Sequence, residues 1–170
     1  PTLALVAICS LQWLVVNRQT DRGLARVRAF LMEPPPPTGL SATDRPYIWD
    51  FLATRALGVG LWDQCADAAA HAAQDVPSRR IFLMWQIAET MRGNDHGVER
   101  LSLELLRIDP NDPIGWVGLA GAAKRLGDST QLARALAKLR TYSPEGNEMR
   151  VIRRHLTYYP QVWSDSLSWQ

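Results

Sequence analysis

Three patterns of apolar and polar residues divide the chain. Leu3 to Val16, "LALVAICSLQWLVV", is apolar except for Ser10 and Gln12. Pro34 to Pro46, "PPPPTGLSATDRP", carries no apolar run. From Tyr47 to Pro144 apolar positions return every three or four residues, in segments closed alternately by a glycine and a proline. That spacing predicts amphipathic helices. They are "YIWDFLATRALG" then "DQCADAAAHAAQDVP", "RRIFLMWQIAETMRG" then "HGVERLSLELLRIDP", and "PIGWVGLAGAAKRLG" then "STQLARALAKLRTYSP". In each pair the glycine supplies a left-handed residue that ends the first helix, and the proline stops the second. Asp63, Asp95, and Asp128 or Ser129 stand where they can cap the second helix.

The punctuation is periodic. Pro77, Pro110 and Pro144 recur at spacings of 33 and 34, and Gly60, Gly93 and Gly127 keep the same interval. The bulky aromatics Trp49, Phe82 and Trp116 keep step with them. Three residue classes agreeing on one period near 34 indicate an array of helical hairpins. The frame resembles the tetratricopeptide repeat: "WDFLATRA" places Trp49, Leu52, Ala53 and Ala56 on it, followed by Cys65, Ala69 and Pro77, and "WVGLAGAA" places Trp116, Leu119, Ala120 and Ala123, followed by Leu132, Leu136 and Pro144. The resemblance spans about Pro46 to Pro144. The middle unit departs from it, with Phe82, Trp85, Gln86 and Glu89 and then Val98 and Ser102. Small residues let antiparallel helices approach closely, so Gln86 in the place of Ala53 and Ala120 predicts either a looser, tilted middle pair or a glutamine tolerated in solvent.

After Pro144, "EGNEMRVIRRHLTYYP" reads as one more helix, with Met149, Ile152, Leu156 and Tyr159 on one face and Arg150, Arg153 and Arg154 on the other. An array needs a terminal element over its last apolar face, and this helix is the expected cap. The expected fold is therefore all-α: a short tetratricopeptide-like solenoid of about three repeats plus a capping helix over residues 46–157. It is preceded by an apolar helix with a basic flank over 1–33 and a proline-rich linker over 34–45. Residues 158–170 form an aromatic tail whose Trp163 and Trp169 either dock on a partner or lipid headgroups, or fold back on their own domain.

Four consecutive prolines favour an extended polyproline II segment. The apolar run before them spans about 21 Å as a helix, against about 30 Å of bilayer hydrocarbon. A signal peptide is disfavoured by the missing basic start and cleavage site, and a lipoprotein site at Cys9 by the bulky Ile8 before it. Two readings stay open: a short membrane anchor through Leu3, Leu5, Val6, Ile8, Leu11, Trp13, Leu14, Val15 and Val16, or a helix buried against the rest of the fold. Arg18, Arg22, Arg26 and Arg28 follow the run; should it span, they vote for a cytoplasmic C-terminal side. A bacterial-type inner membrane is the expected location. Pro1 fits both a chain that has lost its initiator Met and a fragment of a longer one.

Composition changes little. Lys plus Arg number 19 against 17 Asp plus Glu, without a long basic run, which argues against nucleic acid as a partner. Cys9 and Cys65 lie far apart and suggest neither a zinc ribbon nor a disulfide framework. His71, His96 and His155 fall in three separate segments, and no nucleophile elbow, phosphate loop or dinucleotide fingerprint is present. No catalytic, cofactor or metal residue is assigned, and no small-molecule substrate is expected.

The resemblance implies that the first helix of each unit lines a concave face, which assigns Tyr47, Asp50 and Thr54, then Arg80, Leu83 and Ile87, then Ile114, Val117, Gly121 and Lys124 to partner binding. The regular Lys, Arg and Asn set with which some relatives clamp acidic C-terminal peptides is not found there. The expected function is a non-catalytic interaction scaffold, an accessory subunit anchored in a membrane that assembles a larger protein complex. Two alternatives stand beside it: the repeat domain that follows the last span of a membrane glycosyltransferase or O-antigen ligase-like enzyme, and a soluble peptide-binding adaptor.

Overall fold

The computed structural model describes residues 22, 23, 25, 26, 28, 29, 44–143 and 145–155. The candidate anchor residues between Leu3 and Val16, the prolines at 34–37, and Trp163 and Trp169 lie outside the described residues. Among the described residues the regular secondary structure is helical, with no strand. From residue 44 onward they form α1 (Arg45–Gly58), α2 (Trp62–Asp75), α3 (Arg79–Met91), α4 (Asp95–Ile108), α5 (Pro113–Leu126), α6 (Ser129–Leu139) and α7 (Asn147–His155). None of these helices is long and apolar enough to cross a membrane.

Three turns between paired helices share one geometry. Gly60, Gly93 and Gly127 have φ of 77°, 71° and 76°. In each the following N–H reaches back five residues to a helix carbonyl: Leu61 to Ala56, Asn94 to Glu89 and Asp128 to Ala123, all at 2.9 Å. This is the bond that satisfies a helix's last carbonyls once a left-handed residue reverses the chain. The caps that follow are less regular. Asp128 Oδ1 accepts from the Gln131 N–H at 2.9 Å, as expected. At α4, however, the cap is Asn94, which accepts from the Gly97 N–H, and Asp95 lies inside the first turn. At α2 the flanking residue is Leu61 with no side-chain bond, and Asp63 lies inside the first turn, where its charge favours the helix N-terminus. Asp112 caps α5, accepting from the Ile114 and Gly115 N–H groups, and Pro113 occupies the position where a missing N–H costs nothing.

The chain forms two compact units, one ending at Met84 and the other beginning at Trp85, inside α3. In the first, α1 packs on α2. Ala53 of α1 and Ala69 of α2 are fully buried, and Trp49 stacks on His71 with ring centroids 4.5 Å apart.

In the second unit α5 is central. It packs on α4, α6 and α7, and every residue from Ile114 to Ala123 is buried. Met149 and Ile152 of α7 enter the same core as Trp116, Val117, Leu119, Ala135 and Leu139.

This unit also shows how Gln86 is accommodated. Its side chain is 0% exposed, which excludes a solvated glutamine. Nε2 donates to Ser102 Oγ at 2.7 Å, and that hydroxyl donates to the Val98 carbonyl at 2.7 Å. The space comes from α5: a Cβ on Gly118 would lie 2.1 Å from Gln86 Nε2 and 2.6 Å from Ser102 Oγ. A large polar side chain on α3 is thus matched by a hydroxyl on α4 and an absent side chain on α5. Gly118→Ala should destabilise the fold by about 1–3 kcal/mol, the usual range for overpacking. Urea denaturation of Gly118→Ala, Gln86→Ala and the double variant should show strong non-additivity; simple addition would mean that these two residues are not coupled.

Candidate functional site

The first helices of the first unit bring four of the assigned residues into one cluster. Tyr47, Asp50 and Thr54 are spaced three and four apart, so they share a face of α1. Arg80 lies in the first turn of α3. The Arg80 guanidinium pairs with Asp50 Oδ2 and donates to Thr54 Oγ1 at 2.9 Å, while Thr54 Oγ1 donates to the Asp50 carbonyl at 2.8 Å. Tyr47, one turn before Asp50, is 72% exposed. Leu83, one turn after Arg80, is half-buried. The result is a small surface of mixed character: a phenol, a neutralised ion pair, a hydroxyl and part of an aliphatic side chain.

The remaining assigned residues belong to the second unit and are placed differently. Ile87, Ile114 and Val117 are buried, as is Gly121, while Lys124 is half-buried. α5 carries its apolar residues into the packing with α4, α6 and α7, so these positions offer little side chain to solvent.

Several polar groups serve the fold. Glu89 is buried yet receives Trp85 Nε1 at 2.9 Å, Arg92 Nη1 at 3.0 Å and Asn94 Nδ2 at 2.8 Å. That set of donors compensates a buried carboxylate and ties the end of α3 to the start of α4. Arg100 lies over the Trp85 ring at 4.6 Å. Arg125 pairs with Asp95, and Trp116 Nε1 donates to the Pro110 carbonyl at 2.9 Å. His71 stacks on Trp49 and His96 lies 3.7 Å from Glu99. Among the described residues no three His, Cys, Asp or Glu side chains assemble as a metal site.

One contact has no counterpart in the sequence pattern. Arg28 Nε and Nη2 donate to the two Asp67 oxygens at 2.6 and 3.3 Å, joining residues 39 apart. No spacing rule links the two positions, and nothing short of the fold pairs them.

Comparison of the chain with protein-family models, with curated proteins and with solved structures found no match.

One buried and one half-buried acid make the fold sensitive to alkali. Burial pushes the Cys65 thiol up from 9.0 to about 12, and its Sγ donates to the Met84 carbonyl at 3.8 Å. Burial, reinforced by Asp112, Asp109 and Glu148, raises Tyr142 from 10.0 to about 12; its hydroxyl donates to the Asn111 carbonyl at 2.8 Å. Both folded values exceed the unfolded ones, so between them the native state holds more protons. Stability should therefore be full below about pH 9 and fall as pH rises toward about 12. Chemical denaturation across that window should show the decline, and Cys65→Ala should reduce its slope. At pH 8, Cys65 should react with a thiol reagent only when the protein is unfolded.

Proposed function

We propose that this chain is a non-catalytic, tetratricopeptide-like interaction scaffold that holds a segment of another protein against the face of Tyr47, Asp50, Thr54, Arg80 and Leu83. The observation that carries the proposal is the Arg80 bridge: one side chain links the first helices of two successive sequence repeats, beside a tyrosine left almost entirely in solvent. Exposed tyrosine and arginine are the side chains most often found at the energetic centres of protein interfaces. The ion pair itself contributes little to stability. Arg80 is 59% exposed, and such surface pairs are worth about 0–1 kcal/mol. A surface that the fold does not need is one that a partner can use.

The wider reading is that of an accessory subunit of a membrane complex, tethered through residues 3–16. Its support is the apolar composition of that run and the four arginines after it. The tetratricopeptide assignment is supported by the period near 34, the three left-handed glycines in step, and the packed helical hairpins.

The test is purification of the tagged full chain in mild detergent from its native membranes, followed by mass spectrometry of the proteins retained. Wild type should retain a reproducible set of integral-membrane partners. The double variant Tyr47→Ala, Arg80→Glu should lose them, while its urea midpoint stays within the shift that a loss of about 1 kcal/mol produces. Recovery of wild type as a lone chain would overturn the accessory-subunit reading, and full partner retention by the double variant would remove the α1–α3 face from it.

A further inference from the structure

We infer that a pocket in the first unit, separate from the face of Arg80, is an anchor site for one aliphatic side chain of a peptide segment. The helical Ala25, Trp49, Leu52 and Ala56 of α1, and Ala68 of α2 form its apolar lining. Its volume is about 140 Å³, and a dry cavity of about 150 Å³ holds one benzene ring. A leucine or isoleucine side chain fits that space; a nucleotide or a haem does not. Three of the five apolar lining residues are alanines, so the void exists because the helices present methyl groups where larger side chains would fill it. Trp49 is held in place by its stack on His71, so one wall is set before any ligand enters.

The rim decides the class of occupant. Arg28, Asp67 and Gln64 border the same pocket. Arg28 uses Nε and Nη2 on Asp67, which leaves Nη1 with two donors. The Asp67 oxygens keep further lone pairs, and the pair as a whole is neutral. Gln64 Oε1 is buried and accepts no hydrogen bond from any described residue. The rim thus offers a donor and two acceptors around an apolar hole. The peptide units on either side of a leucine offer the complement, two N–H groups and two carbonyls within one residue of the side chain. A plain alkyl chain would leave Gln64 Oε1 buried without a partner, and an anionic ligand would meet the Asp67 carboxylate.

The inference goes beyond the proposed function and does not require that the natural partner be known. Full-length ¹⁵N-labelled protein is titrated with N-acetyl-leucine N-methylamide, and the Trp49 indole N–H and the Leu52 and Ala68 amides are followed by NMR. Saturable shifts are expected with a dissociation constant on the order of 1 mM, the affinity open to a ligand of about a dozen heavy atoms at ordinary efficiency. N-acetyl-alanine N-methylamide and hexanol should each bind at least about tenfold more weakly, the first lacking the side chain and the second the amides. Ala68→Leu fills the pocket and should abolish the shifts at an unchanged melting temperature. Asp67→Asn keeps the pocket and should weaken binding roughly three- to tenfold, the loss expected for one weakened hydrogen bond. It also decides the matter if Ala68→Leu does not fold.

Absence of saturable shifts with the leucine amide overturns the inference. So does hexanol binding as tightly, which would make the pocket a site for a bare hydrocarbon chain, or an Asp67→Asn variant that binds as wild type does. None of these outcomes touches the Arg80 face, so the two readings stand or fall apart.

Discussion

The closest approach of the two helices in a hairpin governs this structure. A pair of antiparallel helices can bury its apolar stripe only when the residues at the crossing leave room for the opposite backbone. In the first pair small residues meet the requirement: Ala53 of α1 and Ala69 and Ala72 of α2 are fully buried in two helices that pack on each other. In the middle pair it is met by exchange. Gln86 occupies the equivalent position; Gly118 leaves the volume and Ser102 accepts from its Nε2, while its Oε1 is buried without a partner among the described residues. The exchange explains why α5 carries glycine in mid-helix, where glycine otherwise costs about 1 kcal/mol relative to alanine. At Gly115 a Cβ would meet the Leu106 side chain at 2.9 Å and the Ser102 carbonyl at 3.3 Å, so this second glycine serves the same close approach.

Once the crossings are set, the turns follow. Each first helix must reverse within two or three residues for its partner to meet it at the crossing. A left-handed glycine does this while returning an N–H to the carbonyl five residues earlier. The three turns therefore agree in glycine position and in the length of that bond, although the caps after them differ. Capping is the weaker constraint: Leu61 provides no side-chain bond, Asn94 and Asp128 each provide one, and all three helices form. The repeat was legible in the sequence because backbone reversal admits few residue types. The capping residues were not, because Asp63 and Asp95 are equally at home one position further in, where an acid favours the helix N-terminus anyway.

The same contrast runs through the candidate surface. Tyr47, Asp50 and Thr54 could be grouped from spacing alone, since positions three and four apart on a helix share a face. Arg80 could be added because the period aligns the start of α3 with the start of α1. The equivalent positions of α5, Ile114 and Val117, obey the same spacing but are buried. Their burial depends on how many helices surround α5, a number that periodicity does not carry. Gln86 is the sharpest case: its departure from the frame was visible, but its accommodation depends on Ser102 and Gly118, residues 16 and 32 positions away. The pocket beside Arg28 and Asp67 was not legible at all, because a void made by alanines on different segments leaves no mark in any one of them.

Charge placement connects the fold to what it can bind. Many charged side chains here are neutralised within the protein: Asp50 with Arg80, Asp67 with Arg28, Asp95 with Arg125, and Glu89 with Arg92. Two of these pairs, at 50 and 80 and at 95 and 125, join residues 30 positions apart, close to the repeat length, so they lie between neighbouring repeats. At these contacts the charges are held in pairs. What such surfaces can recognise is shape and hydrogen-bonding pattern, through groups already fixed in pairs. Fixed pairs cost less ordering entropy on binding than free lysines and arginines would. The constraint that packs the helices, small contacts at close range, also leaves the alanine-lined pocket beside Arg28 and Asp67, where apolar wall and paired polar rim meet.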